Sequence, residues 1–415
     1  MKIAAYITRK RKEKGLTQQQ VADALHVSFQ AVSKWENGIS YPTLDILFAL
    51  SRLLATTTDE ILLGEEAEEI GLTYEKAGVD ISYTDTIKDE MKAFLSSENP
   101  RVLSSIGQFA SLYDISFEDI SNPVLVLKAE EPGSKQKLAF KYGYTESICH
   151  DMVNHLVNDI IVMGAKPLAV LDTIICSVAQ KDIIRSIIKG ISDACLQNEC
   201  ELVGGETSVQ PGVVDKGVYI LSASIAGIVN RDSIIDGSKI RSSDKIIALA
   251  SNGLHTNGYS LVRHLMEMIP TIQDEKIGEE TFIEAIMKPH TPYYVVIKRL
   301  LEMCSSNNCL HGMAHITGGG IEGNLSRIIP SGLRATIDLE SISVPQIFKL
   351  IRRYGNITEN EMLRTFNCGV GFILIVDEEA EKEIKDSLSQ LIHCYSIGEI
   401  TKGTNPTEFM NSLRW

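Results

Sequence analysis

Glycine-punctuated stretches hold most of the residues able to do chemistry. In "LVGGETSVQPG" an apolar run ends in Gly204 and Gly205, whose missing side chains let a backbone approach closely, and Glu206 and Thr207 follow at once. A carboxylate there suits Mg2+ on a phosphate chain. "VNDIIVMGAKP" sets Asn158 and Asp159 on a helix, where a carboxylate among apolar neighbours needs a partner: either a metal or a packing contact. "SNGLHTNGYSL" and "HGMAHITGGGIEGN" carry His255, Asn257, His315 and Thr317 in loops that precede helices, whose free N–H groups attract anions. Taken alone, each is equally a tight turn. "MLRTFNCGVGFILIV" adds Arg364, Thr365, Asn367 and Cys368, the last without an activating base in sequence and so a structural thiol. No Ser/His/Asp or Cys/His nucleophile constellation is legible.

The elements that must hold these loops alternate. Apolar β-rich runs such as "PVLVL", "KIIALA" and "GFILIV" are interleaved with helical stretches such as "DMVNHLVNDIIVMG" and "DIIRSIIKGISDACLQ", which predicts α/β or α+β layers from Tyr74 onward. A length of 415 residues suggests two or three domains. Charge is uneven: residues 1–65 hold 8 Lys+Arg against 7 Asp+Glu, whereas the whole chain carries a net charge of −14, so only the first part tolerates DNA. The eight cysteines are scattered and are expected to be reduced; His311 beside Cys309 offers one further metal reading, without a second ligand cluster. The most apolar run, "VYILSASIAGIV", is too short to span a bilayer and no signal peptide is evident, so the expectation is a cytoplasmic protein without membrane contact.

The first sixty-four residues read differently. A basic helix over residues 2–14 stops at Gly15; Thr17 caps a second helix with Val21, Ala24 and Leu25 inward; "HV" turns the chain; and Ser28 caps a third with Val32 and Trp35 inward. Phe29, Gln30, Ser33, Lys34 and Asn37 are left on its outer face, with Gln18 on the preceding helix as a further DNA contact. The motifs "LTQQQVADAL", "VSFQAVSKWENG" and "YPTLDILFALSRLL" resemble the Cro and lambda-repressor class of helix-turn-helix domains. That resemblance implies a recognition helix in the major groove, with Gln30 suited to adenine and Lys34 to guanine or phosphate. A bundle used only for protein contacts is the alternative. Such readers work as dimers, so a dimerising module is expected downstream, beyond an acidic linker at 65–73.

The order "YEKAGVDI", "VNDIIVMGAKPLAVLD", "LVGGETSVQPG", "IIDGSKI", "LHTNGYSLVR", "HITGGG", "EMLRTFNCGVG" resembles the phosphoribosylformylglycinamidine cyclo-ligase (aminoimidazole ribonucleotide synthetase) family over residues 74–403. The resemblance implies a homodimer of two α/β domains, here 74–236 and 237–415, that closes the imidazole ring of formylglycinamidine ribonucleotide using ATP and Mg2+, with K+ as a further candidate. It implies metal or phosphate ligands at Asp159 and Glu206, and a nucleotide pocket shaped by Glu130, Asn158, Gly204, Gly205 and Thr207. Lys135, His255 and Asn367 would be catalytic, and Asn257, His315, Thr317, Arg364 and Thr365 would bind the ribonucleotide.

Three motifs depart from the family. Where it has Asp-Gly-Val-Gly-Thr-Lys this chain has "EEPGSK", Glu130 to Lys135, with Glu131 before Pro132 pushed toward extended geometry. Gly-Gly-Phe-Gly becomes Gly107, Gln108, Phe109 and Ala110, and the acidic residue after the Gly-Gly-Glu-Thr stretch becomes Val209. Two functions compete: a cyclo-ligase with an attached DNA-binding domain, or a transcriptional regulator whose enzyme-like part senses a nucleotide or purine intermediate and dimerises. A pure scaffold is a third.

Overall fold

The computed structural model describes residues 2–65, 73–91, 99–104, 108–305 and 307–415, and the chain forms two units, Met1–Ala77 and Gly78–Trp415. Most of the expected acidic linker, and Gly107 of the altered glycine motif, lie outside the described residues.

The first unit is all helical: α1 (Lys2–Glu13), α2 (Gln18–Ala24), α3 (Phe29–Glu36), α4 (Leu44–Leu54) and α5 (Thr58–Leu63). Thr17 and Gln20 form a reciprocal capping box at the start of α2, and Ser28 accepts the Ala31 N–H at the start of α3. Tyr6, Val21, Ala22, Val32, Trp35 and Leu50 share the core. The inward stripe of α2 is therefore Val21, Ala22 and Leu25; Ala24, expected inside, is exposed. Arg11 of α1 forks onto Glu36 of α3, with Nε–Oε1 at 2.5 Å and Nη2–Oε2 at 2.9 Å, and clamps the reading helix to the bundle.

The second unit begins with α6 (Ile81–Met91), β1 (Pro123–Glu130), α7 (Lys135–Tyr142), α8 (Thr145–Ile161), β2 (Lys166–Cys176), α9 (Lys181–Gln197), β3 (Glu201–Val209) and β4 (Tyr219–Asn230). Its strands form a sheet in the order β1-β4-β2-β3, antiparallel except for β2 and β3, which α9 links as a crossover. Helices α8 and α9 bury their apolar faces with one side of this sheet. "GGET" lies within edge strand β3; the expected strand end at Gly204 and Gly205 is corrected, because both continue pairing with β2. "VYILSASIAGIV" supplies most of β4, and among the described residues no helix is long and apolar enough to cross a membrane.

The remainder is β5 (Lys245–Ala250), α10 (Tyr259–Met268), β6 (Lys276–Ile277), β7 (Glu280–Thr281), α11 (Phe282–Met287), α12 (Tyr294–Cys304), β8 (Leu310–His315), α13 (Gly320–Leu325), β9 (Leu333–Asp338), α14 (Gln346–Gly355), α15 (Glu359–Thr365), β10 (Val370–Val376), α16 (Glu381–Leu388), β11 (Cys394–Lys402) and β12 (Thr407–Met410). A six-stranded sheet, β12-β9-β11-β5-β10-β8, has every residue of β10 and β8 buried, as continuous apolar runs predict. Cys304 and Cys309 are joined in a disulfide, which corrects the expectation of eight reduced thiols: the turn after α12 brings the two Cα atoms to 5.3 Å. His311 is held by Asp244 at 2.8 Å, away from that disulfide chemistry.

Candidate active site

Helix α8 positions most of the site. Ser147, Asp151, Asn154 and Asn158, spaced i, i+4, i+7 and i+11, fall on one stripe. They read the backbone of the segment after α11. Ser147 Oγ donates to the Met287 carbonyl, Asp151 Oδ1 accepts the His290 N–H at 2.9 Å, and Asn154 Nδ2 donates to the His290 carbonyl at 2.7 Å. Asn158 donates to the Thr291 carbonyl and accepts the Tyr293 N–H. Asn158 thus clamps residues 291–293, using one donor and one acceptor position of its buried amide.

Lys135, at the start of α7, is fully buried, with Nζ 2.6 Å from Asp151 Oδ2 and donating to the carbonyls of His255 and Lys288. Burial pushes the Asp151 acid up to about 7 and the Lys135 ammonium down, each opposing the shift in the other. All three of these bonds go to protein groups that shape the pocket expected to hold its catalytic role.

One turn away on α8, His155 and Asp159 at i, i+4 face a different neighbourhood. Asp159 Oδ1 meets His315 Nδ1 at 2.7 Å, Oδ2 lies 3.0 Å from Lys128 Nζ, and Lys128 reaches Glu130 Oε2 at 3.1 Å. Burial opposes ionisation of Asp159, yet the His315 bond, His155 and Lys128 hold its carboxyl well below the usual range. His155 Nδ1 pairs with Thr256 Oγ1 at 3.1 Å, and burial pushes its imidazole down to about 4. His315 Nε2 meets His290 Nε2 at 2.9 Å, and His290 stacks on His255 at 3.9 Å between ring centroids. His255 turns back to Thr291 Oγ1 at 3.1 Å.

The three glycine loops of the second half converge beside this cluster. A side chain at Gly320, where φ is +62°, would run into the Leu363 carbonyl, so the "TGGG" turn lies directly against the end of α15. Gly258 packs on the Phe366 ring, and Gly318 faces Asn257. Asn257, Thr317 and Thr365 are half-buried and Arg364 is exposed along this seam. Asn367 is different: it is buried, accepts from Ser251 Oγ and Gly369 N–H, and donates to the Gly253 carbonyl. These bonds make it a brace for the 251–253 loop.

Asp159 and Glu206 do not meet within one chain. Asp159 contacts Lys128 of β1, whereas Glu206 sits exposed on β3, and β4 and β2 lie between those strands. Within one chain, then, the two expected metal or phosphate ligands lie apart. Glu130 and Asp159 are the carboxylates that do converge, on the Lys128 ammonium. Gly204, Gly205 and Thr207 accompany Glu206 on β3. His155, His290, Thr256 and Lys128 were missed in sequence; the His155/Asp159 i, i+4 spacing was the available signal, while nothing local marks His290.

Models of the AIR synthase related protein family match residues 121–229 (N-terminal domain) and 241–411 (C-terminal domain), and a helix-turn-helix model matches 7–61. The chain is 41% identical over 348 residues to the phosphoribosylformylglycinamidine cyclo-ligase of Geotalea daltonii, covering 81% of this chain and 97% of that protein. The same enzyme of Citrifermentans bemidjiense is 40% identical over 340 residues, with the same coverage. The chain belongs to the phosphoribosylformylglycinamidine cyclo-ligase family. Thiamine-monophosphate kinase from Stenotrophomonas maltophilia shares its fold, with a TM-score of 0.56 at 18% identity over 79% of this chain and 96% of that one. So does hydrogenase maturation protein HypE of E. coli, with a TM-score of 0.57 at 13% identity, over 79% and 93%.

Against the cyclo-ligase family pattern, the "EEPGSK" loop keeps a left-handed step only at Gly133, which lies against the Thr256 carbonyl; Glu131 adopts no positive φ, as its place before Pro132 requires. The helix-turn-helix that precedes the cyclo-ligase part leaves Phe29, Gln30, Lys34 and Asn37 exposed and Ser33 half-buried. Gln18, half-buried at the start of α2, donates to Glu36 Oε2 at 2.7 Å and so braces α3.

Proposed function

We propose that this chain is an ATP-dependent cyclo-ligase that closes the imidazole ring of formylglycinamidine ribonucleotide, and that it carries a sequence-specific DNA-binding domain. The observation that carries the reading is the convergence of the HTN, TGGG and RTFN loops on the Asp159 end of α8, in a chain that spans nearly the whole length of its cyclo-ligase relatives. Phosphorylating an amide oxygen and displacing phosphate requires orientation and charge neutralisation, not a nucleophile, and the site supplies those.

The ribonucleotide would lie along Asn257, Thr317, Arg364 and Thr365. Glu130 and Asp159, already converged on one ammonium, suit Mg2+, which would neutralise phosphate charge; Glu206 would contribute only if a second chain brings β3 to the same site. The uncovered face of the first sheet supports a homodimer, because Leu125, Leu127 and Leu171 stand 53%, 71% and 46% exposed there. A dimer also supplies the paired DNA readers that half-site recognition requires.

A regulator built from an enzyme is the second reading, favoured by the two acids of "EEPGSK" and the internal use of Lys135. Incubation with formylglycinamidine ribonucleotide, MgATP and K+ separates the two. Aminoimidazole ribonucleotide with ADP supports the enzyme; calorimetric binding without turnover replaces it with the sensor.

A further inference from the structure

The imidazoles around Asp159 exceed what Mg2+ and phosphate would use. Two groups of three side chains each bring one ligand atom within 4.8 Å of the others: His255, His290 and His315, and His155, Asp159 and His315. Ring orientation chooses between them. A metal lies in the plane of each imidazole that binds it, and His255 and His290 are stacked with planes 25° apart, so they cannot converge on one ion without turning. His155 and His315 are set edge to face at 81°, with centroids 5.3 Å apart, which lets two lone pairs meet.

We propose that His155 Nε2, His315 Nδ1 and the Asp159 carboxylate form a site for a zinc-type divalent transition ion. Such an ion would take Asp159, and Glu130 with it, in place of the Mg2+ assigned to them above, so the two occupancies exclude one another. Imidazole nitrogen selects such ions over Mg2+. Tetrahedral bonds of about 2.0–2.1 Å require ligand atoms roughly 3.3 Å apart. The existing separations, 2.7 Å from His315 Nδ1 to Asp159 Oδ1 and 3.6 Å from His155 Nε2 to Asp159 Oδ2, bracket that value. Outer partners are also in place: Thr256 Oγ1 can accept from His155 Nδ1, and His290 Nε2 can accept from His315 Nε2 once a metal replaces the His315 Nδ1–Asp159 hydrogen bond. Glu130 Oε2, 3.9 Å from His155 Nε2, stands near enough to become a fourth ligand. His290 Nδ1 and His255 Nδ1 are buried without hydrogen-bond partners, so this histidine stack is not explained as a closed hydrogen-bond network. Lys128, 36% exposed, occupies the carboxylate side as the resident cation and must swing away.

The test uses full-length protein stripped with chelator and titrated with Co2+ and Zn2+. One Co2+ per chain should bind with visible ligand-field absorption, be displaced by stoichiometric Zn2+ and resist millimolar Mg2+. His155→Ala should weaken Zn2+ binding by tenfold or more, and Thr256→Val by about tenfold. Lys128→Met should tighten it, a gain that misfolding does not produce. Absence of Co2+ binding, displacement by Mg2+ at equal concentration, or unchanged affinity in His155→Ala would overturn the proposal.

Discussion

Asp172, on β2, is a buried acid outside the clefts just described. Burial, with a smaller push from Glu206, raises its carboxyl to about 7 from an ordinary 3.8. A raised acid stabilises the fold fully below its unfolded value and loses that contribution as pH climbs to the folded one. Stability of the second unit should therefore fall between pH 4 and 7, by on the order of 4 kcal/mol if Asp172 acts alone. Asp172→Asn should flatten that slope; urea midpoints that decline equally in both proteins would refute the assignment. At this scale the sequence was only partly legible. Asp159, His255 and His315 could be picked out from their motifs, but a motif does not say whether a side chain faces a ligand or a backbone. The backbone groups that Lys135 and Asn158 meet, and the Gly253 carbonyl that Asn367 meets, lie 114 to 153 residues away in sequence.

Helix α8 is the element on which the site depends, and its polar stripe is invisible to a reading that looks for apolar periodicity. Removing the Asn154 amide leaves the His290 carbonyl buried without its donor, so Asn154→Ala should cost about 1–3 kcal/mol and displace His290. The check is a lowered unfolding midpoint together with an altered His290 NMR signal; an unshifted signal would mean that the stripe does not position it. The recognition helix α3 was legible in full because caps, core spacing and outer face all lie within one short segment. Gln30→Ala and Lys34→Ala should weaken specific DNA binding, with the Gln30 contact worth about 1–3 kcal/mol against the wrong base, and leave nucleotide affinity unchanged. Wild-type DNA affinity in both variants would remove α3 from the interface.

At the scale of the molecule, alternating strands and helices announced two α/β layers, and motif order announced the family. Strand order was not readable: nothing local says that β1 and β3 stand at opposite edges, and so nothing warned that Asp159 and Glu206 would be separated. The proposed dimer would cover the leucines exposed on the open face of the first sheet. Leu127→Glu should produce monomers by analytical ultracentrifugation and weaken operator binding together; a variant that stays dimeric would place the interface elsewhere. Ring closure is tested most directly by the ratio of aminoimidazole ribonucleotide to ADP that full-length protein forms from formylglycinamidine ribonucleotide and MgATP, with Asp159→Asn alongside. One product per ADP, lost in the variant, is the predicted result. No aminoimidazole ribonucleotide from folded, substrate-binding protein would contradict it.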